Sequence, residues 1–262
     1  MDGNLQANLD IYNGLVHKDR DNLQLGVGKE REGKSTLINT NLKYLDPTYN
    51  LDRCCFNGKD FLNLIRKTKE PYRAICWDEA QEFSSRSSIS RFNRNIVQAL
   101  SLIGTKNLFI GICLPSYFEL EKYAAIHRSN CLMRVYSVDG NRGRFQFYNE
   151  SRKKTLYLKG KKGYDYNVVK PNFIGRFTKD AFPFDKKEYE EKKMKAMEEG
   201  LEFDKTKESK WRNQRNDYMQ YLYEEHKLTQ KQISDVLINK GNPISREIVG
   251  SILRERGVNL GK

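Results

Sequence analysis

Short apolar, β-branched runs alternate with amphipathic segments over roughly the first 138 residues. That alternation is the pattern of strand–helix units around a parallel sheet, whose strands are buried on both faces and whose helices bury one. It predicts strands at Leu23–Val27, Leu51–Phe56, Arg73–Trp77, Asn107–Leu114 and Cys131–Val138. Helices are predicted at Lys34–Tyr44, Lys59–Arg66, Arg91–Ile103 and Tyr117–His127. In the third of these, Ile96, Val97, Leu100 and Ile103 recur at helical spacing and are expected to cover the sheet.

From Asp139 to about Lys186 the texture changes. Gly140, Gly143, Gly160 and Gly163 punctuate short runs, Arg144-Phe145-Gln146-Phe147-Tyr148 and Thr155-Leu156-Tyr157-Leu158, which read as antiparallel hairpins. Residues 186–210 are densely charged with few apolar positions and read as a solvated helix or tether. The remainder predicts three short helices. Trp211–His226 is the first, and a capping box in Thr229-Gln230-Lys231-Gln232 opens the second through Ile238. Gly241-Asn242-Pro243 makes a turn, and Ser245 caps a third helix to about Arg256. Tyr218, Leu222, Ile233, Val236, Leu237, Ile248, Ile252 and Leu253 would share their core. The expected organisation is a domain over 1–185 with a β extension from 139, a linker over 186–210 and a helical domain over 211–262.

Charge adds a partner to this picture. Of the 262 residues, 47 are Lys or Arg against 34 Asp or Glu, a net charge of +13, so a polyanion is the expected partner. Residues 141–186 carry much of that excess, with 12 Lys and Arg against four Asp and Glu. Five cysteines with no CxxC pair argue against a zinc site or disulfide framework and for a reducing compartment. The longest apolar run, Leu108 to Leu114, is far below the ~20 residues of a membrane helix. Met1-Asp2-Gly3-Asn4 has no basic or apolar signal character, so the expectation is a cytoplasmic protein with no membrane partner.

The strongest chemical signal is Gly28-Lys29-Glu30-Arg31-Glu32-Gly33-Lys34-Ser35, a GxxxxGK[ST] match lying between a predicted strand and a predicted helix. Glycines there let backbone N–H groups converge on phosphates, and the helix start adds its positive end. Lys34 is expected at the β- and γ-phosphates, Ser35 on Mg²⁺ and Thr36 near the α-phosphate of ATP. Glu30 and Glu32 would repel a phosphate unless they point outward. The second signal, Ala74-Ile75-Cys76-Trp77-Asp78-Glu79, is an apolar strand ending in two acids and looks like a Walker B motif. Asp78 would hold the Mg²⁺ shell and Glu79 would act as general base toward the attacking water.

A strand–helix unit between the two motifs, and a glutamate directly after the aspartate, resemble the additional-strand, catalytic-glutamate division of P-loop NTPases. The strand Leu108 to Leu114, then Pro115-Ser116, then a segment ending in Ile126-His127-Arg128, resembles the FtsK/HerA superfamily over about residues 20–150, nearest its viral genome-packaging and zonula-occludens-toxin-like branches. The resemblance implies an α/β fold with a RecA-like parallel sheet and an ATPase working as a homo-oligomeric ring, a hexamer. It implies a γ-phosphate sensor at Cys113 or Ser116, where family members often carry glutamine. It also implies an arginine reaching the neighbouring subunit's phosphate: Arg128 first, with Arg91 and Arg94 behind it.

The C-terminal helices resemble a helix-turn-helix domain, which would set Ser245, Arg246, Glu247 and Ser251 near base edges and Lys231, Lys240 and Arg254 near phosphates of double-stranded DNA. A helical bundle docking on a capsid, portal or neighbouring subunit is the alternative. Basic residues of the β extension (Arg142, Arg144, Arg152, Lys153, Lys154, Lys159, Lys161 and Lys162) interleave with Tyr148, Tyr157 and Tyr164, as a nucleic-acid track would. A lysine-protected sheet edge fits the same residues. The expectation is an ATP-hydrolysing motor that translocates or packages viral or plasmid DNA. Its rivals are an ATP-switched replication initiator or helicase loader, and a non-catalytic ATP-binding regulator.

Overall fold

Six consecutive buried residues, Asn22–Val27, form strand β1 at the centre of a seven-stranded sheet. The computed structural model describes residues 1–80, 83, 91–239 and 244–258, with backbone alone at 91–94, 179 and 200–210. Strands β2 (Cys54–Cys55), β3 (Ala74–Trp77), β4 (Phe109–Leu114), β5 (Cys131–Val138), β6 (Asn141–Asn149) and β7 (Phe173–Arg176) complete the sheet in the order β2-β3-β4-β1-β5-β6-β7. The first five positions in that order pair parallel, whereas β6 is antiparallel to both β5 and β7. This is the expected α/β class: a parallel sheet with an antiparallel extension. Strand β4 lies between β1 and β3, so the two motif-bearing strands are separated by one strand in space.

Each face of the sheet has its own apolar layer. Helices α1 (Gly3–Val16) and α2 (Lys34–Leu45) cover one, with Leu5, Leu9, Leu37, Ile38 and Leu42 against Phe109, Met133 and Phe145. Helices α3 (Gly58–Lys67), α4 (Arg91–Lys106) and α5 (Glu150–Gly160) cover the other, where Phe61, Ile65, Ile96, Leu100, Ile103 and Leu156 pack on Leu25, Ile75 and Ile110. Helix α2 lies very close to the strands. A Cβ at Gly111 would fall 2.4 Å from Ile38 Cγ2 and 2.9 Å from Leu42 Cδ1, so only glycine allows this approach. Asp46, just past the end of α2, ties that end down: it accepts from Ala74 N at 2.9 Å, Arg53 Nη1 at 2.5 Å and Thr48 Oγ1 at 2.6 Å. The helix carrying the glycine-rich motif and the strand carrying the acidic pair are thus joined at their far ends.

Four expectations are corrected. Thr155–Leu158 is helical, part of α5: Lys153, Leu156, Tyr157 and Gly160 form a buried stripe at helical spacing, and Asn149 caps the start. A four-residue apolar run fits either period. Tyr117–His127 is not one helix but a 3₁₀ turn (Tyr117–Glu119) followed by a π-helical turn (Ala124–Arg128). There the carbonyl of Ala125 accepts from Tyr117 Oη, Ser129 Oγ and Lys153 Nζ at 2.9–3.0 Å, and such side-chain donors favour the wider turn. The strand at Leu51–Phe56 contracts to Cys54–Cys55 behind a 3₁₀ turn. Residues 186–210 are helical as one of the two expected readings has it, within α6 (Lys186–Glu224), but the start of that helix is not fully solvated: its Tyr189 is buried in the α2-side layer. Helix α1, with Asp2 capping it and Leu5, Leu9 and Val16 buried, is an element the pattern reading missed.

The chain divides into two compact units, Met1–Met197 and Glu198–Lys262. In the second, α7 (Gln230–Asn239) and α8 (Arg246–Glu255) share a core with the end of α6, built on Met219, Leu222, Ile233, Leu237, Val249 and Leu253. The capping box is present: Gln232 Oε1 accepts from Thr229 N at 2.9 Å, and Thr229 Oγ1 accepts from Gln232 N at 3.4 Å. Ser245 caps α8 through Ile248 N. The turn Gly241-Asn242-Pro243 lies outside the described residues. Among the described residues, no helix is long and apolar enough to cross a membrane.

Two stability predictions follow from this packing. Gly111→Ala should destabilise the protein by about 1–3 kcal/mol through overpacking. Gly104→Ala, in α4 with open space around its Cβ position, should instead stabilise it by about 0.5–1 kcal/mol, both read by thermal melting. Burial of Asp46 opposes its charge, but hydrogen bonds from Thr48, Ala74 and Arg53 outweigh this and hold its carboxyl below the ordinary 3.8. Its contribution is therefore present above pH 3.8 and lost as pH falls through the folded value. Asp46→Asn should cost about 1–3 kcal/mol at pH 7, with the gap to wild type closing in melts below about pH 4.

Candidate functional site

The glycine-rich loop connects β1 to α2 at the carboxyl edge of the parallel strands, where open α/β sheets place ligands. Gly28 adopts φ +144°, and a Cβ there would sit 2.3 Å from the Val135 carbonyl oxygen, so the chain turns between strands only with glycine. Gly33 precedes α2 with φ +102° and offers no side-chain cap, leaving the first N–H groups of the helix to the loop mouth. Lys34 is buried, and its ammonium donates to the carbonyls of Gly28 at 2.9 Å and Lys29 at 2.8 Å. Lys29, Glu30 and Arg31 are exposed, whereas Glu32 turns inward, its Oε2 accepting from Lys29 N at 3.1 Å. Ser35 and Thr36 occupy the first turn of α2, both half-buried.

Strand β3 delivers Asp78 to the same edge with no solvent exposure. Its Oδ1 accepts the N–H of Glu79 at 3.0 Å, and Tyr189 of α6 donates its hydroxyl to Oδ2. Ser35, in the first turn of α2, acts on the same hydroxyl and partly offsets the upward push from Asp78. Burial and the negative charge of Asp78 push the Tyr189 hydroxyl far above its ordinary value, so it stays a neutral donor. Glu79 sits at φ +56°, a left-handed conformation that costs a non-glycine residue about 1–3 kcal/mol. Its Oε1 is 2.8 Å from the ammonium of Lys193. Burial disfavours that ammonium, but Glu79 outweighs it and holds Lys193 protonated above the ordinary range. Lys34, Ser35, Asp78 and Glu79 are thus gathered at one edge. The hydroxyl–carboxylate pair is a hard-oxygen donor set that suits Mg²⁺.

Cys113 forms part of the floor, buried beside Cys76 near Asp78 and Lys34; the Cys76 hydrogen bond lowers its thiol, but burial wins and pushes it up to about 11. It is a neutral thiol at pH 7. Ser116 lies beyond the strand, against the Tyr166 hydroxyl. Arg128 does not join the loop. It precedes β5 at the opposite edge of the sheet, paired with Asp21 and donating to the Leu100 carbonyl at 2.5 Å. The side chains of Arg91 and Arg94 lie outside the described residues.

Sequence reading missed Tyr189, Lys192 and Lys193. The available signal was the aromatic group Phe182, Phe184 and Tyr189 at the head of a charged run, with Ala196 seven residues on at helical spacing.

Of the expected nucleic-acid residues, Lys231, Ser245, Arg246, Glu247, Ser251 and Arg254 are all exposed on α7, α8 or the cap of α8, while Lys240 lies outside the described residues. The basic track of the β extension is corrected in part. Lys153 is buried, its ammonium on the Ala125 and Ile126 carbonyls, and burial lowers it to about 8. Tyr148 and Tyr157 are buried too. Arg142, Lys154, Lys159, Lys162 and Tyr164 stay exposed.

No family model matches the chain, and no curated protein matches it. Among solved structures it is similar to the N-terminal domain of zonular occludens toxin from Neisseria meningitidis, at 14% identity and TM-score 0.44, over 62% of this chain and 97% of that one. It is also similar to the genome packaging NTPase B204 from Sulfolobus turreted icosahedral virus 2 in complex with AMPPCP, at 13% identity and TM-score 0.39, over 52% and 95%. At these scores the likeness carries no weight for function.

Arg128→Met should lower stability by about 1–3 kcal/mol in thermal melts, because it strands Asp21 and the Leu100 carbonyl, while leaving nucleotide affinity unchanged.

Proposed function

We propose that this chain is an ATP-hydrolysing P-loop enzyme that works on double-stranded DNA as a homo-oligomeric ring, translocating or packaging it. The observation that carries the reading is that the loop lysine Lys34 and Ser35, the fully buried Asp78 and Glu79 are gathered at one edge of the parallel sheet. Backbone N–H groups of residues 30–36 would receive the phosphates, that of Lys29 being held by Glu32, and the Lys34 ammonium would balance their charge. Ser35 and Asp78 would hold Mg²⁺, which when bound would supply positive charge to offset that of the phosphates. Glu79 would accept the proton of the attacking water at a carboxylate oxygen as the terminal phosphate leaves. ATP is the triphosphate proposed here on the resemblance of the motifs.

The DNA part rests on the net charge of +13 and on the exposed Lys231, Arg246 and Arg254 of the C-terminal unit. In this reading α8 presents Ser245 and Arg246 to a groove while Lys231 and Arg254 meet phosphates. One observation favours a second reading. The Lys193–Glu79 ion pair occupies the base, which suits an ATP-switched initiator or loader with a slow resting rate.

ATPase rates with and without long duplex DNA decide between them. Stimulation by DNA that falls about 10²–10⁴-fold in Glu79→Gln supports the motor. A slow, DNA-independent rate supports the switch, and DNA binding with negligible turnover would overturn both in favour of a regulator. Arg246→Ala with Lys231→Ala should weaken duplex binding and lower the slope of log affinity against log salt by about 1–2.

A further inference from the structure

The chain fills its own site. Residues 182–193 lead into α6, and every polar contact of that segment with the site falls on a group the proposed chemistry needs. Asp185 opens the helix by accepting from Lys187 N at 2.9 Å and Glu188 N at 3.0 Å. Phe182, Phe184 and Phe56 surround Tyr189, with ring centroids 4.9, 6.5 and 5.2 Å from it. Lys192 fastens the same turn to the sheet edge through the carbonyls of Leu51 at 2.7 Å and Cys54 at 2.9 Å. From this anchored turn Tyr189 and Lys193, four residues apart and so on one helix face, reach Asp78 and Glu79.

We infer that residues 182–193 are an inhibitory latch: the Tyr189 hydroxyl takes the place on the Asp78 carboxylate where a divalent cation would bind, and the Lys193 ammonium takes the place of the water that Glu79 would activate. The inference rests on the nucleotide-site reading above. It follows from a mismatch of charge. A neutral hydroxyl satisfies one lone pair of a fully buried carboxylate but not its charge, so a divalent cation with its nucleotide is the stronger partner. Lys193 is the complement, a cation seated on the one carboxylate that must be free to take a proton. The aromatic ring of Tyr189, not its hydroxyl, supplies the packing in this segment, so the latch can be weakened without unmaking the core. Opening it exposes Asp78, and closing it requires that the cation leave.

Two variants of the full-length chain test this. Tyr189→Phe keeps the ring and removes the hydroxyl, and Lys193→Met keeps the stem and removes the charge. The readouts are the Mg²⁺ concentration that half-saturates binding of a fluorescent non-hydrolysable ATP analogue, and basal ATPase turnover. Tyr189→Phe should lower the half-saturating Mg²⁺ about ten-fold, the scale of one charge-assisted hydrogen bond. Lys193→Met should raise basal turnover several-fold. A weaker Mg²⁺ response or slower turnover would make these two residues supporting members of the site and overturn the latch, as would variants indistinguishable from wild type. Wild type and Lys34→Ala run alongside. If wild type binds no analogue, the nucleotide reading fails and the latch with it. If wild type binds, Lys34→Ala does not, and the latch variants match wild type, the latch alone is lost.

Discussion

A carboxylate with no access to solvent has to find its counterpart inside the protein, and Asp78 is that carboxylate. The rest of the site is arranged around this requirement. Strand β3 pushes the side chain up to the sheet edge, the Glu79 N–H satisfies one oxygen, and something must meet the other. In this structure a tyrosine does so, tying the first turns of α6 to the end of β3. Under the proposed chemistry a metal ion would do it instead, and both partners cannot occupy the same side of one oxygen. The close seating of α2 on β1 and β4 fixes the phosphate loop against the same sheet that carries Asp78.

Two of the chain's left-handed, non-glycine residues fall at this point. Glu79 and Arg31 both adopt left-handed backbone without being glycine, one after the acidic strand and one within the phosphate loop. Such conformations persist where neighbouring contacts over-determine them. For Glu79 those contacts are the Asp78 cap and the Lys193 pair. The strain and the ion pair therefore act on one residue, and it is the residue assigned as base.

Much of the parallel core was legible because its signals are local and redundant. Trp77 and Leu114 end apolar runs that no polar residue interrupts, and five strands were placed, four of them to within two residues. The loop motif carries its own geometry, since Gly28 and Gly33 are both needed for positive φ. What was not legible depends on partners far away in sequence. Helix α5 was mistaken for a strand because the sequence could not show that Lys153 points inward to cap a π-helical turn some 27 residues earlier. Tyr189 looked like a lone aromatic in a charged tether because its partner, Asp78, lies 111 residues before it. For Arg128 a pairing with an acid was one of two open readings, and the sequence could not name the acid because Asp21 stands 107 residues away.

That inward turn of Lys153 has a broader consequence. A formal charge of +13 treats every basic side chain as facing the solvent, yet Lys34 and Lys153 are buried, Lys106 and Lys192 sit on backbone carbonyls, and Arg128 is neutralised at its own strand edge. The field felt by an approaching polyanion is weaker and more localised than the tally of residues implies, concentrated where guanidinium and ammonium groups still face outward. Encounter with nucleic acid would then be governed by which faces keep their cations and not by how many the chain contains.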